Sequence, residues 1–408
     1  MTSGTMPLGV ISPQDWGLDV CQPHEDAERL PGVGVTGSDL EGRILNNLHS
    51  WLPHYIDPDT GAVYGYYRAP DGFREPPQTA NLIASWMLMA AYDRYGDMGF
   101  LARAGTALSF YYERFVVSHP MSVVAGGARD GVETDNIWTK FSAEFVIGAL
   151  GLHRRTQDAV WLGRAEQSGR YLLQASRHGF APSYNLATHR WADLTTGWDS
   201  WGRAVEACLL LEAATGDRSW HNLATRWGEH ALAIQAENGC FYLIDGEYYN
   251  TDLAADELRG LTFLYEVTGE PRYLEAARRF ADWHLAHQRE DGAWAMTIDR
   301  DGNVVMPTVG PGDMPNIAMA LLRLYTVTER RSYLDIAMRA FAYSLGTQVL
   351  PESREPYSDD PAIRWGFWSW DPTYDDTQSP DQATHHVRGM MFLLDALCNE
   401  HAGSSMHL

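Results

Sequence analysis

Two short segments of this 408-residue chain set a carboxylate beside an indole and a cation, at positions that read as loop-to-helix junctions. They are Glu133-Thr-Asp-Asn-Ile-Trp-Thr-Lys140 and Thr195-Thr-Gly-Trp-Asp-Ser-Trp-Gly-Arg203. Apolar surroundings raise a carboxyl pKa and a neighbouring cation lowers it, so two such sites can be driven apart into an acid and a base. Glycoside hydrolysis needs such a pair, and the separation of the two carboxyls selects inversion or retention. A third dense segment, Tyr374 to His386, adds Asp375, Asp376, Asp381, His385 and His386. Asp at a helix N-terminus is also an ordinary cap that stabilises by about 1 kcal/mol. Capping does not account for the aromatic company: Trp138, Trp198, Trp201, Tyr248, Tyr249, Trp365, Trp368 and Trp370 fall in the same kind of segment. Flat apolar faces against which sugar rings stack, beside Asp, Asn, Arg and His that bond hydroxyls, make a carbohydrate site.

The elements that must position these residues repeat. A Thr-Gly-Asp-like turn followed by an aromatic-Leu step recurs as YGDMGFL, TQDAVWL, TGDRSWH, TGEPRYL and TERRSYL. Its aromatic residues Phe100, Trp161, Trp220, Tyr273 and Tyr333 are spaced 61, 59, 53 and 60 apart, the mark of a repeat architecture. Before each turn lies a helix apolar on nearly every side, which must be enclosed: 79–95, 138–155, 199–215, 252–268 and 313–328. After each turn comes a one-faced helix, such as 273–288, that suits an outer ring. Helices 39–51 (outer) and 382–400 (inner) at the chain's two ends complete a sixth pair. Segments 60–74, 179–191, 239–249 and 292–306 read as β-hairpins crowding one rim, where a cleft is expected. Aligning the repeats puts Thr79, Lys140, Asp199, Asp252 and Gly312 at one depth at that rim, among Asp135, Asp256, Glu257 and Asp313. The expected fold is all-α, an (α/α)6 barrel (six-hairpin toroid) with short β-hairpins on the active-site rim. One domain spans 1–408: an extension 1–38, the barrel 39–400 and a tail 401–408.

Composition narrows the function. With 45% hydrophobic and 12% aromatic residues the chain has material for a large core, and its formal net charge of −22 repels phosphate backbones and anionic lipid. Nucleic-acid and membrane partners are therefore not expected, and the expected partner is a small-molecule or oligosaccharide substrate. No basic n-region opens the sequence and no apolar run reaches a membrane-spanning length, so a cytoplasmic location is expected. The four cysteines, Cys21, Cys208, Cys240 and Cys398, are scattered and read as free thiols. Gly32-Val-Gly-Val-Thr-Gly37 matches G-x-G-x-x-G without the strand and βαβ unit that nucleotide binding needs. Neighbours on a helix point about 100° apart, so His385 and His386 do not face one ligand, and no metal is expected.

The repeat pattern resembles the (α/α)6-barrel carbohydrate-active enzymes over nearly the whole chain, and within them the unsaturated glucuronyl and rhamnogalacturonyl hydrolases. That family carries an Ile-Asp-Asn-Met-like step into an inner helix, to which Thr134-Asp135-Asn136-Ile137 is similar. It also carries a Trp-x-Arg-Gly helix start, to which Trp198-Asp199-Ser200-Trp201-Gly202-Arg203 is similar, with Asp199 as an addition. The resemblance implies that Asp135 gives or takes the proton. The family's other catalytic Asp has no counterpart on the helix from Thr79, which leaves Asp199 as the candidate partner. Trp138, Trp198, Trp201 and Trp370 are the expected sugar platforms, and Arg203, Tyr248, Asp313 and His386 the expected contacts to hydroxyls or a carboxylate. Water and two carboxyls suffice for hydrolysis, so no cofactor is expected. Three other readings stay open. Sugar 2-epimerases of this fold use paired inner-helix histidines, for which His385 and His386 are candidates. Gln288-Arg-Glu-Asp-Gly-Ala-Trp294 is similar to a phrase of terpene cyclases, whose aromatic cavity holds a protonating Asp. A non-catalytic binding toroid would keep the tryptophans without converging carboxylates.

Overall fold

The computed structural model describes residues 35–131, 134–192, 200–372 and 375–401. Its α-helices are α1 Gly37–Asn46, α2 Ala80–Tyr95, α3 Met98–Phe115, α4 Thr139–Thr156, α5 Ala159–Arg177 and α6 Trp201–Thr215. They continue as α7 Arg218–Ile234, α8 Thr251–Thr268, α9 Pro271–His287, α10 Asp313–Thr328, α11 Arg331–Gly346 and α12 Pro380–His401.

The recurring turn is a helix stop followed at once by a helix start. Gly96, Gln157, Gly216, Gly269 and Glu329 all take left-handed backbone at the end of α2, α4, α6, α8 and α10. At the next helix start, Asp158 accepts from the Val160 amide and Asp217 from the Ser219 amide, satisfying an otherwise orphaned donor. The aromatic residue of each phrase then buries, Tyr273 and Tyr333 completely. Helices before the turn are enclosed all round, as the apolar pattern requires: Ala80 to Ala91 of α2 are buried without a break. Helices after it bury one stripe, such as Trp220, Leu223, Ala224, Trp227 and Ala231 of α7.

The chain forms two compact units, each discontinuous in sequence. In the first, Leu108–Ala286 with Thr297–Met306, α4 packs on α5, α6 on α7, and α6 on both α4 and α8. Its strands are β3 Ala128–Arg129, β4 Asn136–Trp138, β5 Ser183–Asn185, β6 Arg190–Trp191, β7 Tyr248–Asn250, β8 Thr297–Asp299 and β9 Val304–Met306. They form two antiparallel sheets, ordered β3-β4-β5-β6 and β7-β8-β9. In the second unit α10 packs on α11, and α12 contacts α1, α2 and α10, so the chain's two end helices meet as the sixth pair requires. Its small sheet pairs β1 Tyr67–Arg68 with β2 Phe73–Arg74 on one side and with β10 Thr377–Gln378 on the other.

Two expectations are corrected. The first helix does not run to Trp51: α1 ends at Asn46 and continues as a π-helical turn, Asn47–Trp51, then a 3-10 turn containing Pro53, which cannot donate within a helix. Segment 239–249 is not a hairpin in itself: it holds a tight Ile244–Tyr248 bridge, and its strand pairs with the distant β8. Among the described residues no helix is long and apolar enough to cross a membrane.

Candidate active site

In the first unit two strands feed directly into enclosed helices. β4 ends at Trp138, which caps α4, and β7 ends at Asn250, whose side chain accepts from the Asp252 amide at the start of α8. This places Lys140 and Asp252 in the first turns of α4 and α8, where Lys140 Nζ meets Asp252 Oδ2 at 2.6 Å. The pair is partly open, with side-chain exposures of 12% and 33%.

One helical turn deeper on the same two helices lie Glu144 and Asp256, at i+4 from Lys140 and Asp252 and therefore beneath them. Arg203 of α6 enters between them. Its Nε is 3.6 Å from Glu144 Oε1, its Nη2 2.8 Å from Asp256 Oδ1 and its Nη1 3.0 Å from Glu206 Oε2. Arg259 closes the network from below, with Nε 3.1 Å from Glu206 Oε2 and Nη2 3.0 Å from Asp256 Oδ1. All five of these deeper side chains are buried. Such proximity needs α6 and α8 to touch backbone to backbone: a Cβ on Gly202 would lie 2.1 Å from the Asp256 carbonyl oxygen, and one on Gly260 2.8 Å from Gly202 Cα. The freed Gly202 amide donates to Glu257 Oε2 at 2.8 Å.

Burial acts on Glu144, Asp256 and Lys140. It pushes the Glu144 carboxyl up to about 8 against the pull of Lys140 and Arg203, with Asp256 and Asp252 adding to the rise. It raises Asp256 as well, opposed by Arg203, Arg259 and Lys140. Burial alone would lower Lys140, but Asp252, Glu144 and Asp256 more than offset it and keep its ammonium charged. The arrangement can offer a proton from Glu144 at neutral pH beside a carboxylate, Asp252, that solvent reaches.

The sequence-derived candidates distribute unevenly around this network. Arg203 is at its centre, bound to carboxylates on both edges of its guanidinium rather than facing a ligand. Asp135 is exposed just ahead of β4, and its carbonyl accepts from the Leu186 amide. Trp138 and Tyr248 are half-buried at the strand ends that lead into α4 and α8. Trp201 is fully buried, its indole edge-on to Phe241 at 5.1 Å, so neither of its faces is open as a platform. Trp198 and Asp199 lie outside the described residues. In the second unit Trp370 is half-buried and Asp313 is buried at the start of α10. His386 is buried too: Nδ1 is 2.6 Å from Ser344 Oγ and the ring is stacked on Phe367, so it does not present itself to a hydroxyl from solvent. Glu144, Glu206 and Arg259 were not anticipated. Their signal was a charge inside a helix that is otherwise apolar all round, which obliges a buried partner of opposite sign.

The cyclase-like phrase has a structural task. Gln288 Nε2 donates to the Gly292 and Ile336 carbonyls, both at 2.8 Å, and Gln288 Oε1 accepts from Arg339, which clips the loop after α9 to α11. Among the described residues no group of three or more His, Cys, Asp or Glu is arranged to hold a metal ion.

Solved structures share this architecture. Cellobiose 2-epimerase from Bacillus thermoamylovorans B4167 superposes with a TM-score of 0.69 at 14% identity, covering 88% of this chain and 100% of its own. D-mannose isomerase gives 0.67 at 14% identity, covering 88% and 97%. The unsaturated glucuronyl hydrolase of Bacillus sp. GL1, responsible for the degradation of glycosaminoglycan, gives 0.59 at 14% identity, covering 88% and 94%. The fold is that of the (α/α)6-barrel carbohydrate-active enzymes. No family model and no curated protein matches the sequence.

Proposed function

We propose that the chain is a sugar-active enzyme of the general acid–base type, cleaving or hydrating a short oligosaccharide or glycoside. The observation that carries this reading is the two-tier acidic site of α4 and α8: Asp252 open to solvent on Lys140, and Glu144 beneath it, pushed up to about 8. In cleavage, Glu144 is the source of the proton that reaches the departing glycosidic oxygen, which requires the Lys140–Asp252 pair above it to open. Asp252 takes one from the water whose oxygen joins the anomeric carbon, so the net change is addition of one water. Trp138 and Tyr248, half-buried at the strand ends that lead into α4 and α8, are candidate stacking surfaces, and Asp135 and Asp199 remain candidate carboxylates from the sequence.

A second reading is sugar epimerisation or isomerisation. What favours it is that the epimerase and isomerase structures superpose better than the glucuronyl hydrolases.

A mass-spectrometric screen against pooled glycosides, unsaturated uronyl disaccharides, cellobiose and mannose separates the two. The acid–base reading expects a split or hydrated product, with Asp252→Asn and Glu144→Gln each slower by about 100-fold or more. Equal loss in Asp135→Asn would move the proton transfer to that residue. An isobaric sugar product, resolved by chromatography and undiminished in Asp252→Asn, would sink the hydrolytic reading in favour of the second.

A further inference from the structure

We infer that Glu144 and Asp256 form a carboxylate pair holding one proton between them, and that Asp256 is the positioning residue that keeps Glu144 in its acid form. The inference deepens the reading above, since it names what maintains the acid of that site.

It begins with the fork of Arg203. Nε and Nη2 lie on one edge of the planar guanidinium, an edge that ordinarily takes a single carboxylate through both of its oxygens. Here that edge is shared: Glu144 approaches Nε and Asp256 approaches Nη2, each through one oxygen. The two carboxyls therefore meet at one edge of the same guanidinium, both almost fully buried, and each has a second oxygen to satisfy. Those oxygens, Glu144 Oε2 and Asp256 Oδ2, are both buried and neither has a hydrogen-bond partner. Two acceptors side by side are an unsatisfied arrangement. A single proton shared between the two carboxyls turns one of these acceptors into a donor, which removes the mismatch.

The surrounding charges agree. Lys140 is committed to Asp252 above, and Arg259 is shared between Glu206 and Asp256 below. Arg203 answers Glu206, Asp256 and Glu144 at once, so Glu144 does not have that cation to itself. From α3, Tyr111 also faces Glu144, but its hydroxyl donates to the Arg129 carbonyl and brings no positive charge. Glu257 turns to the Gly202 amide. Like charges this close in a dry site do not both ionise, and titration of either belongs to the pair.

Infrared difference spectroscopy of the whole chain, stepped from pH 6 to pH 10 without substrate, reads the C=O stretch of protonated carboxyls. The wild type is expected to lose one such band with a midpoint near pH 8, in keeping with the burial of Glu144. Glu144→Gln is expected to lack the band. Asp256→Asn, which removes the like charge and frees Arg203 for Glu144, is expected to shift the midpoint down by more than about one unit. Absence of the band in the wild type, its persistence in Glu144→Gln, or an unmoved midpoint in folded Asp256→Asn would each overturn the pair. Should Asp256→Asn fail to fold by circular dichroism, Asp256→Ser, which also removes the like charge, takes its place under the same criterion. Because no substrate is present, inactivity on every sugar would remove the proposed reaction and leave the pair standing, and the converse holds equally.

Discussion

The His386 imidazole on α12 lies parallel to the Phe367 ring within 4° at 3.8 Å, almost fully buried, with Ser344 as its hydrogen-bond partner. Burial lowers its pKa from 6.5 to about 3, so the folded protein keeps it neutral through the range in which the unfolded chain protonates it. The unfolded state binds the extra proton, and the folded state therefore loses stability as pH falls from about 6.5 towards about 3. At pH 5 this single group should have cost about 2 kcal/mol relative to pH 7. His386→Gln loses packing at every pH but has no such titration. The stability gap between wild type and variant, measured by urea unfolding, should narrow by about that amount between pH 7 and pH 5. A gap that stays constant would mean that His386 titrates normally in the folded protein. The same residue illustrates what a side chain's type leaves open. Its imidazole suited a sugar contact equally well on paper, and only the positions of Ser344 and Phe367, remote in sequence, turn it into the core.

Between helices, the molecule uses a clip that occurs in both units. Gln288 reaches the Gly292 carbonyl and the Ile336 carbonyl of α11; Gln235 reaches the Gly239 carbonyl and the Ala276 carbonyl of α9, all within 2.9 Å. At each clip the glycine presses on the next outer helix: a Cβ on Gly292 would sit 2.4 Å from the Arg339 carbonyl, and one on Gly239 2.5 Å from that of Arg279. Gly292→Ala should destabilise by about 3 kcal/mol or more, combining left-handed strain with overpacking. Gly302→Ala is the control, because its φ of +84° is also left-handed but its Cβ would meet nothing within 4 Å. Equal shifts in urea midpoint for the two variants would show that the close approach at Gly292 carries no energy. At this scale much of the fold was legible. The helix stops and starts are local chemistry, written in Thr156, Asp158, Thr215 and Asp217, and the enclosed helices follow from apolar residues on every side. The clip was seen in part: QREDGAW stood out, while QAENGCF, its counterpart in the preceding repeat, lacked the Trp that draws notice. What was not legible depended on depth and on distant partners. β7 pairs with a strand some fifty residues away, and Glu144 gains its meaning from Arg203 and Asp256 on two other helices. Lys140 and Asp252, at helix starts, were visible, as were Asp256 and Arg203 beneath them; Glu144, Glu206 and Arg259 were not.

Over the whole molecule, 53 acidic residues against 31 basic ones set a field that any charged substrate must cross. Within the candidate site that field is not reversed, since Lys140 and both arginines are already engaged by carboxylates. A neutral sugar approaches without regard to this charge, whereas a uronyl sugar is repelled over a distance that salt controls. The screening length falls from about 30 Å at 0.01 M ionic strength to about 8 Å at 0.15 M. Raising salt across that interval should lower KM for an unsaturated uronyl disaccharide several-fold and leave KM for a neutral disaccharide unchanged within about twofold, with kcat unaffected in both cases. Initial-rate measurements at the two ionic strengths decide the matter for whichever substrates the chain accepts. A uronyl KM that instead rises with salt would mean that a local cation, such as Lys140 released from Asp252, outweighs the global charge and draws the carboxylate in. That outcome would turn the substrate expectation towards the glucuronyl class, because the protein would then be using a partly exposed site cation to select an anion against its own net charge.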